Sequence, residues 1–492
     1  MNLAQKLTRL LGDDAVRTDD ATLATHATDR WFASRVPDAV VLARSRTDVE
    51  KTLRFANRHG IPVTPRGAGV GYVGGCVPSR GGIALSVARM NRIKEIHFAD
   101  GVAVVEPGVI TGELQAAVRK LGLFYPPDPA SLAECSLGGN IATNAGGPRC
   151  LKYGVTRNYV LGLEVVLADG RVLRCGGRTH KNKQGFDLAG LFVGSEGLLG
   201  VVTEATLRLL PHPPTRATLA VSFRSFREAA DAVQKIFAAG FLPCALEIAD
   251  PFTLQSAREF LGREIAPGAQ SLVLVELDGQ PESVRGECAA LAKLLRKIDA
   301  LRVLTAFGDE ECEKLWGLRR AYSQSLKATG LTKLNEDIVV PRGKLVELAE
   351  FGERLAKKHG YPVACFGHAG DGNIHVNIMA KNYHEDRRVK ARVDRALDEL
   401  FTWVLKAGGV ITGEHGIGLA KKPWWKQAVD KVGRDTHTAL KAALDPKGIL
   451  NPGKFVGGYN SRFVRATILP LTADISSARY AGEKCGRDTS AR

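Results

Sequence analysis

The sequence predicts an α+β protein with more than one domain, and three observations lead to this prediction. The chain has 492 residues, which exceeds what one ordinary hydrophobic core accommodates. Its N-terminal part combines many glycines with short apolar stretches of strand length, and its middle part alternates strand-like and helix-like segments. We therefore expect one domain at residues 1–214, a second at 215–410, a further segment at 411–458 and a poorly ordered tail at 459–492.

Composition restricts the class of protein. Hydrophobic residues make up 45% and charged residues 24% of the chain, as in soluble globular proteins. The longest apolar runs are strand-sized, and the N-terminus lacks the apolar core of a signal peptide. Nine cysteines without a repeated spacing favour free thiols in a reducing compartment. We expect a cytoplasmic protein, with peripheral contact at the inner face of the membrane left open.

The net charge of +16 favours anionic partners. The basic residues are dispersed along the chain, however, and no nucleic-acid-binding motif is present. We therefore expect no nucleic-acid partner, and anionic metabolites or an anionic membrane surface remain as candidates.

In the first domain, helix and strand patterns alternate with turns. A helix is predicted at 47–58 with Thr47 as its cap. The other elements are a strand at 102–106, a helix at 111–121, a hairpin of 160–167 and 172–174, and a strand at 201–210. A proline cluster at 211–214 reads as a linker.

The second domain repeats the pattern strand, helix, strand. The predicted strands are 217–223, 245–248, 271–277 and 302–306, and the predicted helices are 226–239, 282–298, 309–327, 343–359 and 384–407. Two such units in tandem predict a ferredoxin-like antiparallel sheet with helices on one side.

Three glycine-rich stretches in the first domain are candidate ligand-binding loops: 66–75, 126–154 and 194–200. The first matches the spacing G-x-G-x-x-G, but no helix pattern opens there, which excludes the Rossmann interpretation. A cradle of backbone amides for a pyrophosphate remains. Because glycine has no side chain, the backbone of such loops can come close to a large phosphorylated ligand. The alternative interpretation is that the glycines only form tight turns.

A second group of candidate residues lies in a strand pattern near the C-terminal end. The run 374–379 alternates apolar and polar residues, so His375 and Asn377 face one way while the apolar residues face the core. His368 precedes His375 by seven residues, and the glycines between them allow a sharp turn. The two imidazole rings can therefore converge.

His368, His375 and Glu414 together form the ligand set of a catalytic divalent metal with one position left open, and zinc is the expected ion. His415 would then be a spare imidazole beside the metal, free to act as a base. A single histidine in such a position is more often structural than a metal ligand. The metal site is predicted because these residues occur together in glycine-rich surroundings.

These motifs, in this order, resemble the flavoproteins of the vanillyl-alcohol oxidase and p-cresol methylhydroxylase fold. The chain is similar to the branch that holds D-lactate dehydrogenases, the FAD subunit of glycolate oxidase and D-2-hydroxyglutarate dehydrogenase. The match covers about residues 40–454, and its most specific parts are 126–154, 192–210, 367–377, 413–416 and 451–454. The resemblance implies a two-subdomain FAD-binding domain of the p-cresol methylhydroxylase type, a cap domain, and a C-terminal segment that returns to the flavin.

The resemblance also implies which residues bind the cofactor. They are Arg66, Gly67, Ala68, Gly69, Val70, Gly71, Pro127, Asp128, Ser136, Gly138, Gly139, Asn140, Asn144, Gly146, Gly194, Glu196, Gly197, Val201 and Asn451. The first loop offers no histidine for a covalent flavin bond, so we expect FAD to be bound non-covalently.

By the same resemblance the chain oxidises a D-2-hydroxy acid to the 2-oxo acid. His368, His375 and Glu414 match metal ligands, and His415 matches the base that takes the hydroxyl proton while flavin takes the hydride. Arg319 and Lys333 match residues that hold the substrate carboxylate, and we expect Asn377 as a further substrate contact.

Because no cysteine-rich iron–sulfur segment is present, the electrons must leave to a separate acceptor, which would be an electron-transfer flavoprotein, a quinone or a cytochrome. Whether the protein forms a homodimer is left open.

Two alternatives belong to other functional classes: a metal-dependent hydrolase that uses the same histidines, and a flavin electron-transfer protein without a substrate of its own. A visible absorption spectrum and bleaching of the flavin by a hydroxy acid would distinguish them.

Overall fold

The computed structural model describes residues 1–262, 266–298 and 300–456. The tail predicted at 459–492 lies outside the described residues. Met1–Gly457 form one compact unit, and the domain boundaries expected from the sequence stay predictions.

The N-terminal half contains short strands and short helices. The strands are β1 (Val16–Arg17), β2 (Ala39–Leu42), β3 (Val63–Arg66), β4 (Ile83–Ser86), β5 (Ile93–His97), β6 (Val102–Val105), β7 (Leu123–Phe124), β8 (Val160–Val166), β9 (Val172–Gly176), β10 (Val201–Arg208) and β11 (Leu210–Pro211). The helices are α1 (Leu3–Leu11), α2 (Asp20–Thr25), α3 (Arg46–His59), α4 (Thr111–Arg119), α5 (Leu137–Thr143), α6 (Cys150–Tyr153) and α7 (Leu188–Phe192).

Two sheets organise this half. The first has the strand order β1-β2-β4-β3, in which β4 pairs in parallel with both β2 and β3. The second is antiparallel with the order β5-β6-β10-β8-β9, and it contains the predicted hairpin of β8 and β9. Each sheet has its own cluster of buried apolar side chains. The candidate ligand loops connect these strands.

Two local details of this half differ from the sequence prediction. Helix α3 is capped by Ser45 rather than Thr47, because the Ser45 side chain accepts a hydrogen bond from the backbone N–H of Asp48. As expected, no helix opens after the first glycine loop. Helix α5, in contrast, begins inside the second loop with Ser136 as its cap, and the sequence analysis did not predict it.

The C-terminal half contains one large sheet and longer helices. The strands are β12 (Thr215–Phe223), β13 (Ala245–Ala249), β14 (Ser271–Gly279), β15 (Arg302–Phe307), β16 (Thr332–Val339), β17 (Val363–His368) and β18 (Asn373–Ala380). The helices are α8 (Phe226–Ala238), α9 (Pro251–Leu261), α10 (Pro281–Lys297), α11 (Gly308–Ala328), α12 (Leu345–His359), α13 (Arg387–Lys406), α14 (Trp425–Ala428) and α15 (Lys431–Leu444).

The seven strands have the order β15-β12-β14-β13-β17-β18-β16 and pair antiparallel throughout. Strands β12 to β15 form a ferredoxin-like unit, with the fourth strand at one edge and the second at the other. Strands β16 to β18 form a second unit, and a bridge between Val339 and Val410 stands where its fourth strand would be. The two units join where β13 pairs with β17, which brings Glu247 opposite His368.

Helices cover both faces of this sheet, so the expectation of helices on one side was wrong. Helices α8, α10, α12 and α13 share the large core on one face. Helices α9 and α11 pack against the other face, where several strand residues are also apolar: Ala249, Leu272, Ala364, Phe366 and Met379. A sheet that is apolar on both faces must be covered on both.

After α15 the chain returns to the first sheet. The backbone N–H of Val63 donates to the carbonyl of Ile449 (2.8 Å), and the N–H of Asn451 donates to the carbonyl of Val63 (2.7 Å). Residues near 450 therefore lie alongside β3, just before the first glycine loop.

Candidate active site

A cavity of about 1190 Å³ lies between the glycine-rich loops on one side and strands β16, β17 and β18 with helix α11 on the other. Its walls on the N-terminal side come from residues 65–73, 128–136 and 195–197, and helix α11 forms much of the opposite wall. Ligand pockets for drug-sized molecules usually measure about 300–1,000 Å³. The cavity therefore accommodates a ligand larger than a small metabolite.

Most residues predicted to bind the cofactor line this cavity. These are Arg66, Gly67, Ala68, Gly69, Val70, Gly71, Asp128, Ser136, Gly138, Gly139, Asn140, Gly146, Glu196, Gly197 and Val201. Four others are not among the lining residues: Pro127, Asn144, Gly194 and Asn451. The cofactor roles of all of them stay predictions.

The first two glycine loops are joined at Ser136. Its hydroxyl oxygen accepts hydrogen bonds from the backbone N–H groups of Ala68 (3.2 Å) and Gly139 (3.3 Å). A Cβ atom at Gly67 would come within 2.3 Å of that oxygen. Gly67 therefore has to be a glycine for the two loops to approach each other this closely.

Glu196 and Asn451 connect the third loop to the C-terminal segment. The Glu196 carboxylate accepts hydrogen bonds from the backbone N–H groups of Ile417 (2.7 Å) and Gly418 (2.8 Å). The Asn451 amide donates to the carbonyls of Glu196 (2.8 Å) and Gly75 (2.9 Å). Both side chains therefore hold chain segments together at the edge of the cavity.

The hairpin of β17 and β18 brings His368 and His375 to one face of the sheet. Their ring centroids are 5.6 Å apart, and the ligand atoms of His368, His375 and Glu414 all lie within 4.8 Å of one another. Within the described residues, the buried Nδ1 atom of His375 has no hydrogen-bond partner. Burial lowers the pKa of His375 well below its usual value, so the ring is neutral and can donate a lone pair. The donor set therefore fits a divalent metal.

Glu247 fixes the orientation of His368. Its carboxylate accepts from His368 Nδ1 (2.5 Å) and also from the guanidinium of Arg319. Burial alone would raise the pKa of Glu247, but His368 and Arg319 lower it to about 2. Because Nδ1 of His368 is engaged in this way, Nε2 is left to face Glu414 at 3.2 Å. Glu247 was not predicted from the sequence, where its signal is a carboxylate inside an apolar strand.

Asp337 holds the loop that carries Glu414 and His415. It is fully buried, and one carboxylate oxygen accepts from the Thr412 hydroxyl and from the N–H groups of Gly413, Glu414 and His415, at 2.9–3.0 Å. Burial would raise the pKa of Asp337, but Lys421 and the neighbouring histidines keep it well below its usual value. Asp337 was also missed by the sequence analysis. It lies directly opposite His375 in the pairing of β16 with β18.

His415 lines the cavity with its ring between two other rings. The centroid distance is 5.7 Å to His375, with an interplanar angle of 17°, and 5.3 Å to Tyr72. Burial lowers the pKa of His415 below its usual value, so the imidazole is neutral at neutral pH. A neutral imidazole that faces the cavity can accept a proton.

The predicted substrate-binding cations both lie near the ring of Phe366. The Arg319 guanidinium carbon is 5.0 Å and the Lys333 nitrogen 5.6 Å from the centroid of its ring. Both cations line the cavity. Asn377, in contrast, is fully buried, is not among the lining residues, and donates to the carbonyls of Ala364 and His375. It supports the strand behind the site.

Two family models match the chain. The model described as FAD binding domain matches residues 37–176, and the model described as FAD linked oxidases, C-terminal domain, matches residues 212–455. The chain is 41% identical to the glycolate oxidase subunit GlcD of Bacillus subtilis, over 85% of this chain and 89% of that protein. It is 32% identical to the D-lactate dehydrogenase of Anaerostipes hadrus, over 91% of this chain and 94% of that protein.

Solved structures of similar fold include p-cresol methylhydroxylase with substrate bound, with a TM-score of 0.75 and 21% identity over 92% of this chain and 96% of that one. An alkyldihydroxyacetonephosphate synthase structure has a TM-score of 0.71 and 20% identity over 92% of this chain and 84% of that one. These likenesses confirm the predicted α+β fold of the p-cresol methylhydroxylase type.

Within the described residues, no helix combines the length and apolarity needed to cross a membrane.

Proposed function

Because the chain belongs to the family of FAD-linked oxidases that includes glycolate oxidase subunits and D-lactate dehydrogenases, we propose that it oxidises D-2-hydroxy acids to 2-oxo acids. It is an oxidoreductase with an FAD-binding domain. The observation that carries the proposal is the placement of His415 beside His368, His375 and Glu414, at one wall of a cavity whose other wall is glycine-rich.

The substrate carboxylate pairs with Arg319 and Lys333. Both are cavity-lining cations, and a charge-assisted contact with a guanidinium fixes direction as well as affinity. Glu247 holds the Arg319 guanidinium in place and at the same time binds His368. The carboxylate-binding group and the proposed metal ligand are therefore oriented by one buried side chain.

His368, His375 and Glu414 would hold a divalent metal, with zinc as the proposed ion. A metal at this position supplies a Lewis acid that lowers the pKa of the substrate hydroxyl. The residues around it exclude water, since His368 and His375 are buried and their strand neighbours are packed in the sheet. Asp337 keeps Glu414 in reach by binding its backbone N–H.

His415 accepts the hydroxyl proton at a ring nitrogen that faces the cavity. Its ring contacts the rings of Tyr72 and His375, and Asp337 accepts a hydrogen bond from its backbone N–H. Bound FAD would supply the acceptor for the hydride that leaves the substrate carbon. We propose that the FAD is non-covalent, because the first loop has no histidine, and that its electrons pass to a separate acceptor.

Anaerobic mixing of the purified holoenzyme with hydroxy acids tests the proposal. D-Lactate, glycolate, D-2-hydroxyglutarate and D-malate are added separately while flavin absorbance is followed. We expect at least one of them to bleach the flavin, and the L-enantiomers of the chiral acids to leave it oxidised. A flavin that none of them reduces would sink the proposed function.

A further inference from the structure

Strand β15 forms one edge of the seven-stranded sheet and lies away from the cavity. It pairs with β12 in an uninterrupted antiparallel register from Arg302 to Phe307, and within the described residues no strand lies on its other side. At such an edge, a row of backbone N–H and C=O groups points away from the neighbouring strand. Strand β15 therefore offers a template for pairing with another strand.

The side chains along this edge are unusually apolar. Leu301, just before the strand, and Leu304 and Phe307 within it are 39%, 40% and 46% exposed. Proteins usually protect long edge strands with charged residues, prolines or bulges. The other edge strands of five or more residues carry charged or ionisable residues: Lys94, Glu95 and His97 in β5, Arg174 in β9, and Lys333, Glu336 and Asp337 in β16. Strand β15 has one charged residue, Arg302 at its first position, and neither proline nor bulge.

The two ends of β15 carry opposite charge. Arg296 and Lys297 end helix α10 shortly before the strand begins at Arg302, and among the described residues none of these three forms an ion pair. At the other end the chain passes directly into α11, whose first turn contains three acidic residues. The side chain of one of them, Glu310, is 88% exposed. The edge is therefore basic at its start, apolar along its length and acidic at its end.

We propose that β15 pairs antiparallel with β15 of a second copy of this chain, so that the two seven-stranded sheets continue into each other across a two-fold axis. In an antiparallel pair of identical strands, the start of each strand lies beside the end of the other. The basic end of one copy then faces the acidic end of the other, and the apolar residues meet between them. This self-complementarity is the reason why a second copy is the partner.

Helices α10 and α11 extend the contact beyond the strand. They pack on opposite faces of the sheet next to β15, so each copy presents a helix on both sides of the paired strands. A stable interface buries about 1,200–2,000 Å² in total, which is more than the edge of a six-residue strand supplies. The exposed flanks of these two helices provide the remaining area.

The mass of the holoenzyme in solution tests this pairing. Size-exclusion chromatography with light scattering should give twice the mass of one chain for the parent. Leu304→Lys places two like charges near the two-fold axis and should give the mass of one chain. Leu242→Lys, at an apolar position that is 56% exposed and lies outside β15, should stay dimeric. Flavin content and the thermal midpoint show that each variant is folded.

Exchange of the end charges tests the antiparallel arrangement. Arg302→Glu and Glu310→Lys each bring like charges together at both ends of the pair, and each should raise the dissociation constant of the dimer by about tenfold or more in sedimentation velocity. The double variant Arg302→Glu/Glu310→Lys restores opposite charges and should return close to the parent value. A parent that is monomeric at micromolar concentration, a Leu304→Lys variant as dimeric as Leu242→Lys, or a double variant no tighter than the single ones overturns the proposal.

Discussion

The three site histidines differ in what their ring nitrogens contact. His368 donates to Glu247 and faces Glu414, whereas the Nδ1 atom of His375 is buried and unpartnered among the described residues. The ring of His415 contacts the rings of Tyr72 and His375, and its Nδ1 atom lies 3.9 Å from the Asp337 carboxylate. Two rings are therefore arranged to hold a ligand, and the third is free to exchange a proton.

Substitutions at these positions should have different signatures. His375→Ala and Glu414→Ala should lose bound metal and keep FAD, because each removes one proposed metal ligand and leaves the backbone of the glycine loops unchanged. His415→Ala should keep both and lose turnover by about 10²–10⁴-fold, as for a missing general base. Metal analysis, flavin absorbance and kcat measure these effects. Exposed His180→Ala is the control.

Chelation of the parent enzyme should mimic the ligand substitutions. If active parent enzyme contains no metal and chelators leave it active, the cluster of histidines is structural and the role of His415 has to be reconsidered separately.

The pH dependence of kcat/KM should be bell-shaped, with limbs from His415 and Lys333. Burial lowers the pKa of His415, so activity should rise with pH below the usual histidine range as the ring becomes neutral. Lys333 has a pKa of about 7 and binds a carboxylate only when protonated, so kcat/KM should fall as pH rises through about 7.

Lys333→Arg tests the assignment of the alkaline limb. A guanidinium stays charged throughout this range, so the fall near pH 7 should disappear while the acidic limb is kept. An alkaline limb that persists unchanged in Lys333→Arg would show that another group titrates there.

At the scale of the structural elements, strand β16 carries two residues that serve different parts of the site. Its residues Leu334 and Ile338 join the large core, and the alternating residues Lys333, Asn335 and Asp337 face the other way. Lys333 lines the cavity, and Asp337 anchors the loop of Glu414. One strand therefore positions both a substrate-binding cation and a proposed metal ligand.

Asp337→Asn should detach that loop. An amide cannot accept from three backbone N–H groups with one oxygen and also accept from Asn373 with its nitrogen. Removing one partner of a buried charged network costs roughly 3–5 kcal/mol, so the thermal midpoint should fall and metal should be lost. Calorimetry and metal analysis are the measurements. Asp231→Asn, which breaks only an exposed pair with Lys235, should change neither.

Sequence patterns predicted those parts of the site that depend on neighbours along the chain. The hairpin of His368 and His375 follows from alternating polarity and the glycines between the strands. Glu247 and Asp337 could not be found this way, because their partners are distant in the sequence: Glu247 binds His368 across the sheet, and Asp337 binds the loop 412–415. Strand β16 was missed since its charged face resembles a loop in composition.

Across the whole molecule, Arg149 joins the glycine loops to the large sheet. It pairs with Asp128 beside the second loop (2.6 Å) and with Glu276 of β14 (2.7 Å). Glu276 is fully buried and also accepts from Arg216 and from the indole of Trp316. The two walls of the cavity are therefore linked by a buried ionic network.

Glu276→Gln should weaken that link. The variant leaves Arg149 and Arg216 partly uncompensated, and loss of one partner in a buried pair costs about 3–5 kcal/mol. We expect a lower thermal midpoint and faster loss of FAD on dilution, both measured by flavin fluorescence. Glu282→Gln, at a largely exposed position, is the control. An unchanged FAD dissociation rate in Glu276→Gln would argue that the link does not affect the cavity.

Acid or heat denaturation should release FAD into the supernatant, because the first loop offers no histidine for a covalent bond. Flavin that stays with the precipitated chain would contradict non-covalent binding, and FMN in its place would contradict a pyrophosphate cradle. Thin-layer chromatography of the supernatant distinguishes these outcomes.

The contact of residues 449–451 with Val63 has a consequence for biosynthesis. The first sheet, which begins at Val16, reaches its full set of backbone contacts only after residue 451 has been synthesised. N-terminal domains usually fold first as a chain emerges from the ribosome. Here the cofactor-binding half has to wait for almost the whole polypeptide, so nascent chains ending before α15 should be unable to retain FAD, and cofactor insertion should be one of the last steps of maturation.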